Sequence, residues 1–288
     1  MPLVSALAAS HAPNILLEPG REWEDFMDLH YSMAPHGSAH RPTLEQQKKL
    51  RQDAESAFAK LRADLEQAKP DVLIVVANDQ FVNFFWNNIP TFFVTIAERV
   101  QGQFTRHKFD YQNHKELGKA IIRAGMEKGI DFSYGEHVEL QHTQTVPLHF
   151  LLPQPTIPIL PIYVNTWVDP APSPRRSYQV GELIRDVAND AKERVAILAT
   201  GGLSHFPGSP RIGEIDESFD HKLLDVMRQG EGRSLIDYSV QDLLQAGDTE
   251  FLNWMVAIGA VGDAKASFTA YMPDFVATGW GFVSWKLA

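Results

Sequence analysis

Three apolar runs, each followed by a polar motif, most constrain the fold of this chain. The runs occupy residues 3–9, 71–77 and 195–200. Apolar runs of strand length with little polar alternation are typical of strands covered on both faces, as in parallel sheets between helices. Ligands of such sheets bind outside the carboxyl ends of the strands. We therefore expect one site to gather the motifs that follow the runs, namely Ser10-His11-Ala12-Pro13, Asn78-Asp79-Gln80 and Gly201-Gly202-Leu203-Ser204-His205.

The segments between the apolar runs have apolar residues at the spacing of a helix. Apolar residues recur every three or four positions between Leu50 and Leu65, after a Thr43/Gln46 pair that has the pattern of a capping box. Further helical patterns cover residues 115–128, 178–192, 216–229, 234–246 and 249–260, whereas residues 14–42 read as irregular. Alternating strands and helices predict an α/β fold, a single layered domain over residues 1–288 with a largely parallel central sheet flanked by helices.

Composition narrows the classes of function. The formal net charge of −10 leaves no basic stripe for phosphates, which argues against a nucleic-acid partner. No apolar run approaches the roughly 20 residues of a membrane span, and the first strand lacks a signal-peptide pattern, so we expect a cytoplasmic protein. Cysteine is absent. Any metal must therefore be held by histidine, carboxylate or amide groups.

The motifs resemble those of the class III extradiol dioxygenases, the family that includes the protocatechuate 4,5-dioxygenase catalytic subunit. Gly-Gly-Leu-Ser-His is the most specific element, and His142 and the helix that begins near Glu250 add to the match. The resemblance implies Fe(II) held by two histidines and a glutamate. By position His11 matches the first histidine and Glu250 the carboxylate, whereas Gln80 stands where the second histidine is expected.

The resemblance also implies roles for other residues. His205 matches the catalytic histidine that takes a proton from the substrate hydroxyl and later returns one, which an imidazole suits at neutral pH. His142 matches a histidine that lines the pocket, although Gln141-His142-Thr143 departs from the usual Asp-His-Gly. Ser204, Asp79 and Thr278 are the candidate substrate contacts. The aromatic residues that follow Gln80 are candidate walls of the pocket, with core packing the simpler explanation for at least half of them: Phe81, Phe84, Phe85 and Trp86.

Gln80 leaves three interpretations open. Another residue, His36 or His40, completes the ligand set; or Gln80 itself ligates, as a natural or an engineered replacement of histidine; or the site holds no metal. An amide oxygen is a weaker ligand for Fe(II) than imidazole, so iron affinity should fall if Gln80 is used.

The function predicted is a ferrous extradiol dioxygenase that opens a small catechol-type ring with O2, with methoxy and carboxylate substituents both conceivable. Arg21, Arg41 and Arg175 are candidates to meet a carboxylate, although each is also explained as a solvated surface charge. The alternatives are a non-catalytic partner subunit and a metal-independent hydrolase or lyase that uses His205 as base. Relatives imply a homo-oligomer, with or without a small accessory subunit.

Overall fold

Four adjacent parallel strands form the centre of an eight-stranded sheet in the computed structural model, which describes residues 3–32, 41–207, 209–274 and 278–287. In chain order the strands are β1 (Leu3–Ala9), β2 (Val72–Ala77), β3 (Phe92–Thr95), β4 (Arg99–Phe104), β5 (His107–Gln112), β6 (Ser133–Gly135), β7 (Glu139–Leu140), β8 (Ile159–Val164), β9 (Val195–Thr200), β10 (Phe268–Pro273) and β11 (Gly279–Lys286). Across the large sheet their order is β10-β11-β1-β9-β2-β8-β3-β6. The predicted α/β class and mostly parallel sheet are confirmed.

Antiparallel pairs flank the parallel centre. β11 pairs antiparallel with both β1 and β10, and β3 pairs antiparallel with β8. A second sheet of three short strands, in the order β5-β4-β7, was not predicted from the sequence. In strand β4 one residue is buried, and the others, Gly102 among them, are exposed or half-buried. The strand therefore lacks the apolar run that marks the central strands.

The helices are α1 (Arg21–Ser32), α2 (Leu44–Ala68), α3 (Lys115–Glu127), α4 (His142–Leu151), α5 (Pro174–Asp190), α6 (Glu217–Gln229), α7 (Val240–Ala246) and α8 (Phe251–Val261). The capping box of α2 is confirmed, because Thr43 accepts from the backbone of Gln46 and the Gln46 side chain accepts from Thr43 N–H. Short 3-10 helices occupy Pro13–Ile15 and Gly232–Asp237.

Two helical predictions are corrected. The segment 14–42, read as irregular, contains α1, whose Trp23 and Met27 lie four residues apart and bury one face. The predicted helix over 234–246 is divided into a 3-10 helix and α7. Ser239 caps α7 by accepting from Asp242 N–H, so its backbone must be extended and cannot continue a helix.

Each central strand contributes to two apolar cores. In β2, Ile74 and Val76 pack on one face of the sheet, and Leu73 and Val75 pack on the other. Because successive side chains point to opposite faces, apolar residues at every position require cover on both sides. Helices α5 and α8 cover one face and α2 covers the other. Within the ranges described, no helix is both long and apolar enough to pass through a bilayer.

Two glycines bring α5 and α8 into backbone contact. A Cβ added to Gly181 would lie 2.0 Å from the Val256 carbonyl oxygen, and one added to Gly259 would lie 2.0 Å from the Tyr178 carbonyl oxygen. These distances are far below van der Waals contact, so the close helix crossing is possible only because both positions are glycine. Since α8 begins just after Glu250, this crossing also fixes the helix behind the site.

Gly181→Ala should therefore force α5 and α8 apart and lower the free energy of unfolding by about 1–3 kcal/mol or more. Urea denaturation measures the effect. Gln179→Ala is the matched control because Gln179 is exposed on the same helix. Equal stability of the two variants would contradict the proposed backbone contact.

Candidate active site

The carboxylate of Glu250 is the meeting point of three strand ends. Glu250 is fully buried at the N-cap position of α8. Its Oε2 accepts from the Gly202 N–H at 2.8 Å, and its Oε1 accepts from the amides of Asn78 at 3.0 Å and Gln80 at 3.3 Å. The His11 Nε2 lies 3.1 Å from Oε2. The sequence expectation that the three motifs and Glu250 share one site is met by these contacts.

The pKa of Glu250 reflects opposing influences. Burial disfavours the charged carboxylate and would raise its pKa, but the electrostatic attraction of the His11 and His205 rings in their protonated forms and the hydrogen bonds from His11 and Gly202 outweigh it. The pKa of Glu250 is therefore held well below its usual range. The group is an anion at neutral pH, as a ligand of a divalent metal must be.

His11 is held in place by Thr200, the last residue of β9. The His11 Nδ1 lies 3.1 Å from the Thr200 hydroxyl oxygen, while Nε2 faces Glu250. Because a hydroxyl can both donate and accept, Thr200 can support either neutral tautomer of the ring. A hydrogen-bond partner on the second ring nitrogen orients an imidazole that ligates a metal through the first. The ring is 3% exposed, so its orientation is fixed by the protein.

Two buried side-chain amides, those of Asn78 and Asn253, connect the site to α8. The Asn253 side chain donates to Asn78 Oδ1 at 3.1 Å and to the Thr200 carbonyl at 2.9 Å. Asn78 in turn donates to Glu250. One hydrogen-bonded network therefore links the ends of β2 and β9 to the first turn of α8.

His205 stands beside Glu250 on the loop that follows β9. Its Nε2 lies 3.6 Å from Glu250 Oε2, and its Nδ1 lies 2.9 Å from the Leu203 carbonyl oxygen. Since a carbonyl only accepts, Nδ1 carries the proton in the neutral ring, and Nε2 is left as a proton acceptor. Gly201 has φ +147°, which L side chains rarely adopt, and a Cβ there would lie 3.0 Å from Glu250 Cβ. The glycine pair thus lets the loop pass against Glu250.

His142 is the first residue of α4 and faces His11. The two rings are perpendicular with centroids 5.6 Å apart. Burial lowers the pKa of His142 to about 3, with His11 lowering it further and Glu250 raising it. His142 is therefore a neutral imidazole at physiological pH, able to donate one hydrogen bond and accept another.

A cavity of about 240 Å³ opens beside these groups. It is smaller than the roughly 300–1,000 Å³ of pockets for drug-sized ligands, so it suits a single substituted ring. Its polar wall includes His11, Gln80, His142, His205 and Glu250, and Thr278 also lines it. Its larger apolar lining residues are Phe26, Trp167, Phe206 and Ile212.

The aromatic residues after Gln80 do not line this cavity. Phe85 and Trp86 are 52% and 78% exposed, and Phe81 is 40% exposed. Phe84 instead packs against Phe93 and Tyr163. The apolar wall expected from these residues therefore comes from other parts of the chain.

Ser204 and Asp79, two of the expected substrate contacts, support loops instead. Ser204 is fully buried, and its hydroxyl donates to Asp220 Oδ2 at 2.8 Å. The Asp79 carboxylate accepts from the backbone N–H groups of residues 82–84 and from the Gln141 side chain. Neither residue is among the described lining of the cavity. Both hold in place segments that carry site residues.

The histidines proposed to replace the missing ligand, His36 and His40, lie outside the described residues. Among the residues described, no three His, Asp or Glu side chains are grouped to hold a metal ion. The donors that converge are His11, Glu250 and the amide of Gln80. Imidazole and carboxylate are the donors that non-heme iron(II) sites use. The set therefore fits a divalent cation, with two strong ligands and one weak neutral ligand.

Sequence reasoning missed several residues of the site: Asn14, Thr200, Asp220, Asn253 and Asp274. Only Asn253 carries a local signal, because a lone amide inside the apolar helix Phe251–Val261 must find a buried partner. The others become visible only when distant segments are brought together.

The chain is similar to known proteins over most of its length. Residues 31–280 match the family described as "Catalytic LigB subunit of aromatic ring-opening dioxygenase". A 2,3-dihydroxyphenylpropionate/2,3-dihydroxicinnamic acid 1,2-dioxygenase of Klebsiella pneumoniae (strain 342) is 27% identical over 204 residues, which cover 69% of this chain and 63% of that protein. The enzyme of the same name from Escherichia coli O139:H28 is 28% identical over 184 residues, covering 64% and 57%. The matches thus span less than two thirds of these relatives.

A solved structure has a similar fold. The crystal structure of uncharacterized protein JW3007 from Escherichia coli K12 superposes with a TM-score of 0.57 over 98% of this chain and 99% of that one, at 12% identity. At this identity the similarity concerns the fold alone.

The hydrogen bonds of Asp220 hold the loop that carries His205, and a variant of Asp220 tests this role. Its carboxylate accepts from Ser204 N–H at 2.9 Å, from the Ser204 hydroxyl at 2.8 Å and from the Tyr271 hydroxyl at 2.6 Å. Asp220→Asn keeps the shape but turns an NH2 group toward one of these donors. An unsatisfied buried donor should lower the free energy of unfolding by about 1–3 kcal/mol.

Denaturant unfolding of Asp220→Asn measures this loss. Asp237→Asn is the control because Asp237 is exposed and its ion pair with Arg175 lies on the surface. A change of less than about 0.5 kcal/mol in Asp220→Asn, the range of ordinary surface substitutions, would show that Asp220 does not hold the loop.

Proposed function

The chain belongs to the family of the catalytic LigB subunit of aromatic ring-opening dioxygenases, and we propose that it opens the ring of a small catechol-type substrate with O2. The observation that supports the proposal is the contact of Glu250 with His11 and Gln80 at the wall of a ring-sized cavity. Fe(II) is the proposed cofactor, held by His11, Glu250 and Gln80. A bound ferrous ion supplies electron transfer between the diol and O2.

The chain's own residues bind and orient the diol. Two adjacent substrate oxygens face the cluster of His11, Gln80 and Glu250. The ring lies between the apolar side chains of the cavity, which exclude water from the reacting carbons. Thr278 contributes a hydroxyl to the same cavity, close to Gly202, whose added Cβ would lie 2.8 Å from Thr278 Cγ2.

His205 is the proposed acid–base residue. Because its Nδ1 proton is used by the Leu203 carbonyl, Nε2 is free to take a proton from a substrate hydroxyl. The same atom then returns that proton as the carbon–carbon bond beside the diol opens. His142, neutral and facing His11, donates or accepts one hydrogen bond at the substrate or at O2.

Gln80 favours a second candidate, a catalytically inactive partner subunit, because it weakens the ligand set. A metal-independent hydrolase or lyase that uses His205 is the remaining alternative. The homo-oligomer, an accessory subunit and a cytoplasmic location stay predictions.

Oxygen uptake tests the proposed reaction. Protein loaded with Fe(II) under anaerobic conditions should consume O2 with a catechol and form a yellow ring-opened product. His205→Gln should lower kcat by roughly 10²–10⁴-fold, the range of general acid–base catalysis, while iron content is unchanged. His137→Gln is the control because His137 is exposed and is not among the described lining residues of the cavity.

The alternatives give other results in this experiment. Turnover that persists under chelation and without O2 would indicate the hydrolase or lyase. Absence of O2 uptake with a broad catechol panel would reject the dioxygenase, and copurification with an active homologue would then identify a partner subunit.

Gln80 itself can be tested by metal affinity. Gln80→His should raise the affinity for Fe(II) by about tenfold or more, because imidazole is the stronger ligand. Gln80→Ala should lower it, whereas Gln112→Ala, an exposed glutamine on β5, should not change it. Anaerobic iron titration measures all three. Unchanged affinity in both Gln80 variants would show that another residue is the third ligand.

A further inference from the structure

The loop between β2 and β3 exposes four large apolar side chains within residues 81–86. Phe81 is 40% exposed, Val82 41%, Phe85 52% and Trp86 78%. No other segment of this length in the described chain exposes more than one large apolar side chain to that degree. The rings of Phe81 and Trp86 lie side by side, with centroids 5.7 Å apart. These four residues form the 81–86 patch, and apolar surface concentrated in this way marks interaction sites.

Hydrogen bonds hold the loop in its exposed conformation. The Asp79 carboxylate accepts from the backbone N–H groups of residues 82–84, and the Asn88 N–H donates to the Phe85 carbonyl at 2.7 Å. Phe81 has φ +58°, which a bulky side chain rarely adopts. The apolar side chains are therefore presented in a defined arrangement, which reduces the entropy that a binding partner would have to remove.

The segment that carries the patch has no charged residue. Residues 80–97 contain no lysine, arginine, histidine, aspartate or glutamate, although charged residues make up 22% of the chain and its net charge is −10. The cores of protein interfaces are likewise depleted of charge and enriched in aromatic residues. Two copies of a chain with this net charge repel each other, so they approach most easily where both surfaces are neutral.

The side chains of the patch and its rim can face their own copies. In a dimer with two-fold symmetry both chains use the same surface, so each group meets itself or a neighbour from that surface. Aromatic rings pack on aromatic rings, and the exposed amides of Asn87 and Asn88 can both donate and accept hydrogen bonds. Neither kind of group requires an opposite charge. The patch thus fits a second copy of this chain better than it fits a charged partner protein.

The exposed aromatic area is sufficient for the centre of such an interface. If each ring can bury about 150–250 Å², Phe81, Phe85 and Trp86 expose roughly 250–430 Å² between them. A standard interface buries about 800 Å² per partner, and its fully buried core is the most apolar part. The patch therefore provides an apolar core, and the polar residues around it provide the rim.

We propose that the 81–86 patch is the centre of a two-fold symmetric contact between two copies of this chain. Phe85 and Trp86 of each copy pack against the same surface of the other, and the amides of Asn87 and Asn88 lie at the rim. The inference goes beyond the proposed function and does not depend on the reaction. Because the loop also carries Gln80, the contact adjoins the segment of a proposed metal ligand.

Sedimentation equilibrium of the purified full chain tests the contact. The wild type should approach twice the chain mass of 32.3 kDa as concentration rises. Phe85→Asp should raise the dimer Kd by roughly 100-fold or more, because it places two like charges in the contact. Trp86→Ala should raise it by roughly 30-fold or more, the loss typical of an interface hot spot. Leu244→Asp is the matched control, because Leu244 is 53% exposed on α7, outside the patch.

Chemical cross-linking tests the same contact with the apolar patch intact. The chain contains no cysteine, so Asn87→Cys introduces a single thiol at the rim. A short bismaleimide should join two such chains into a covalent dimer, whereas Leu244→Cys should remain a single chain on a denaturing gel. If Phe85→Asp does not fold, as judged by circular dichroism, the wild-type mass and the cross-linking decide.

Three results would overturn the proposal. They are a wild type that stays monomeric at every concentration, a dimer that Phe85→Asp and Trp86→Ala leave as tight as the wild type, and equal cross-linking of the two cysteine variants. A monomeric wild type would assign the patch to another occupant, an accessory subunit or a lipid surface, and would reject the second copy. Because mass and cross-linking are measured without substrate, their outcome is separate from that of the oxygen-uptake test.

Discussion

The buried charge of Glu250 is the constraint on which the site depends. A carboxylate removed from water is costly unless donors surround it, and here they come from the Gly202 backbone, the amides of Asn78 and Gln80, and His11. These donors follow β1, β2 and β9. The three strands are neighbours in the order β1-β9-β2, so the sheet order brings the donors around one carboxylate. Glycine at position 201 is required by this arrangement, because a side chain there would not let the loop pass so near Glu250.

Much of this arrangement could be predicted from the sequence. Unbroken apolar runs indicate strands covered on both faces, and parallel neighbours end at one edge, so the position of His11, Gln80 and His205 after their strands already implied one site. The resemblance predicted Glu250 as the carboxylate of the site. The structure shows the physical reason, because α8 begins at the same edge of the sheet. The local sequence pattern is therefore sufficient to predict which residues meet wherever the position of a residue along a strand determines its position in space.

The walls of the cavity could not be predicted in this way. Asn14 and Asp274 form a bonded pair although 260 positions separate them. Nothing in the local spacing of either segment indicates the other, because the pairing depends on how the 3-10 helix after β1 meets the end of β10. The same limit explains the aromatic residues after Gln80. Their composition suggested a pocket wall, but the Asp79 carboxylate turns the backbone of residues 82–84 away from it.

Two side-chain amides, those of Asn78 and Gln80, face Glu250, and their surroundings differ in whether the amide oxygen is free to turn toward the proposed metal. Asn78 donates to Glu250 while its Oδ1 accepts from Asn253, so turning its oxygen toward a metal would set one NH2 group against another. Gln80 is held through its backbone N–H by Gln141, and within the described chain its side-chain oxygen accepts no hydrogen bond. Gln80 can therefore present its oxygen at the cost of one bond to Glu250. Since imidazole and amide are both neutral, its substitution for histidine leaves the charge of the ligand set unchanged and lowers only the strength of one donor.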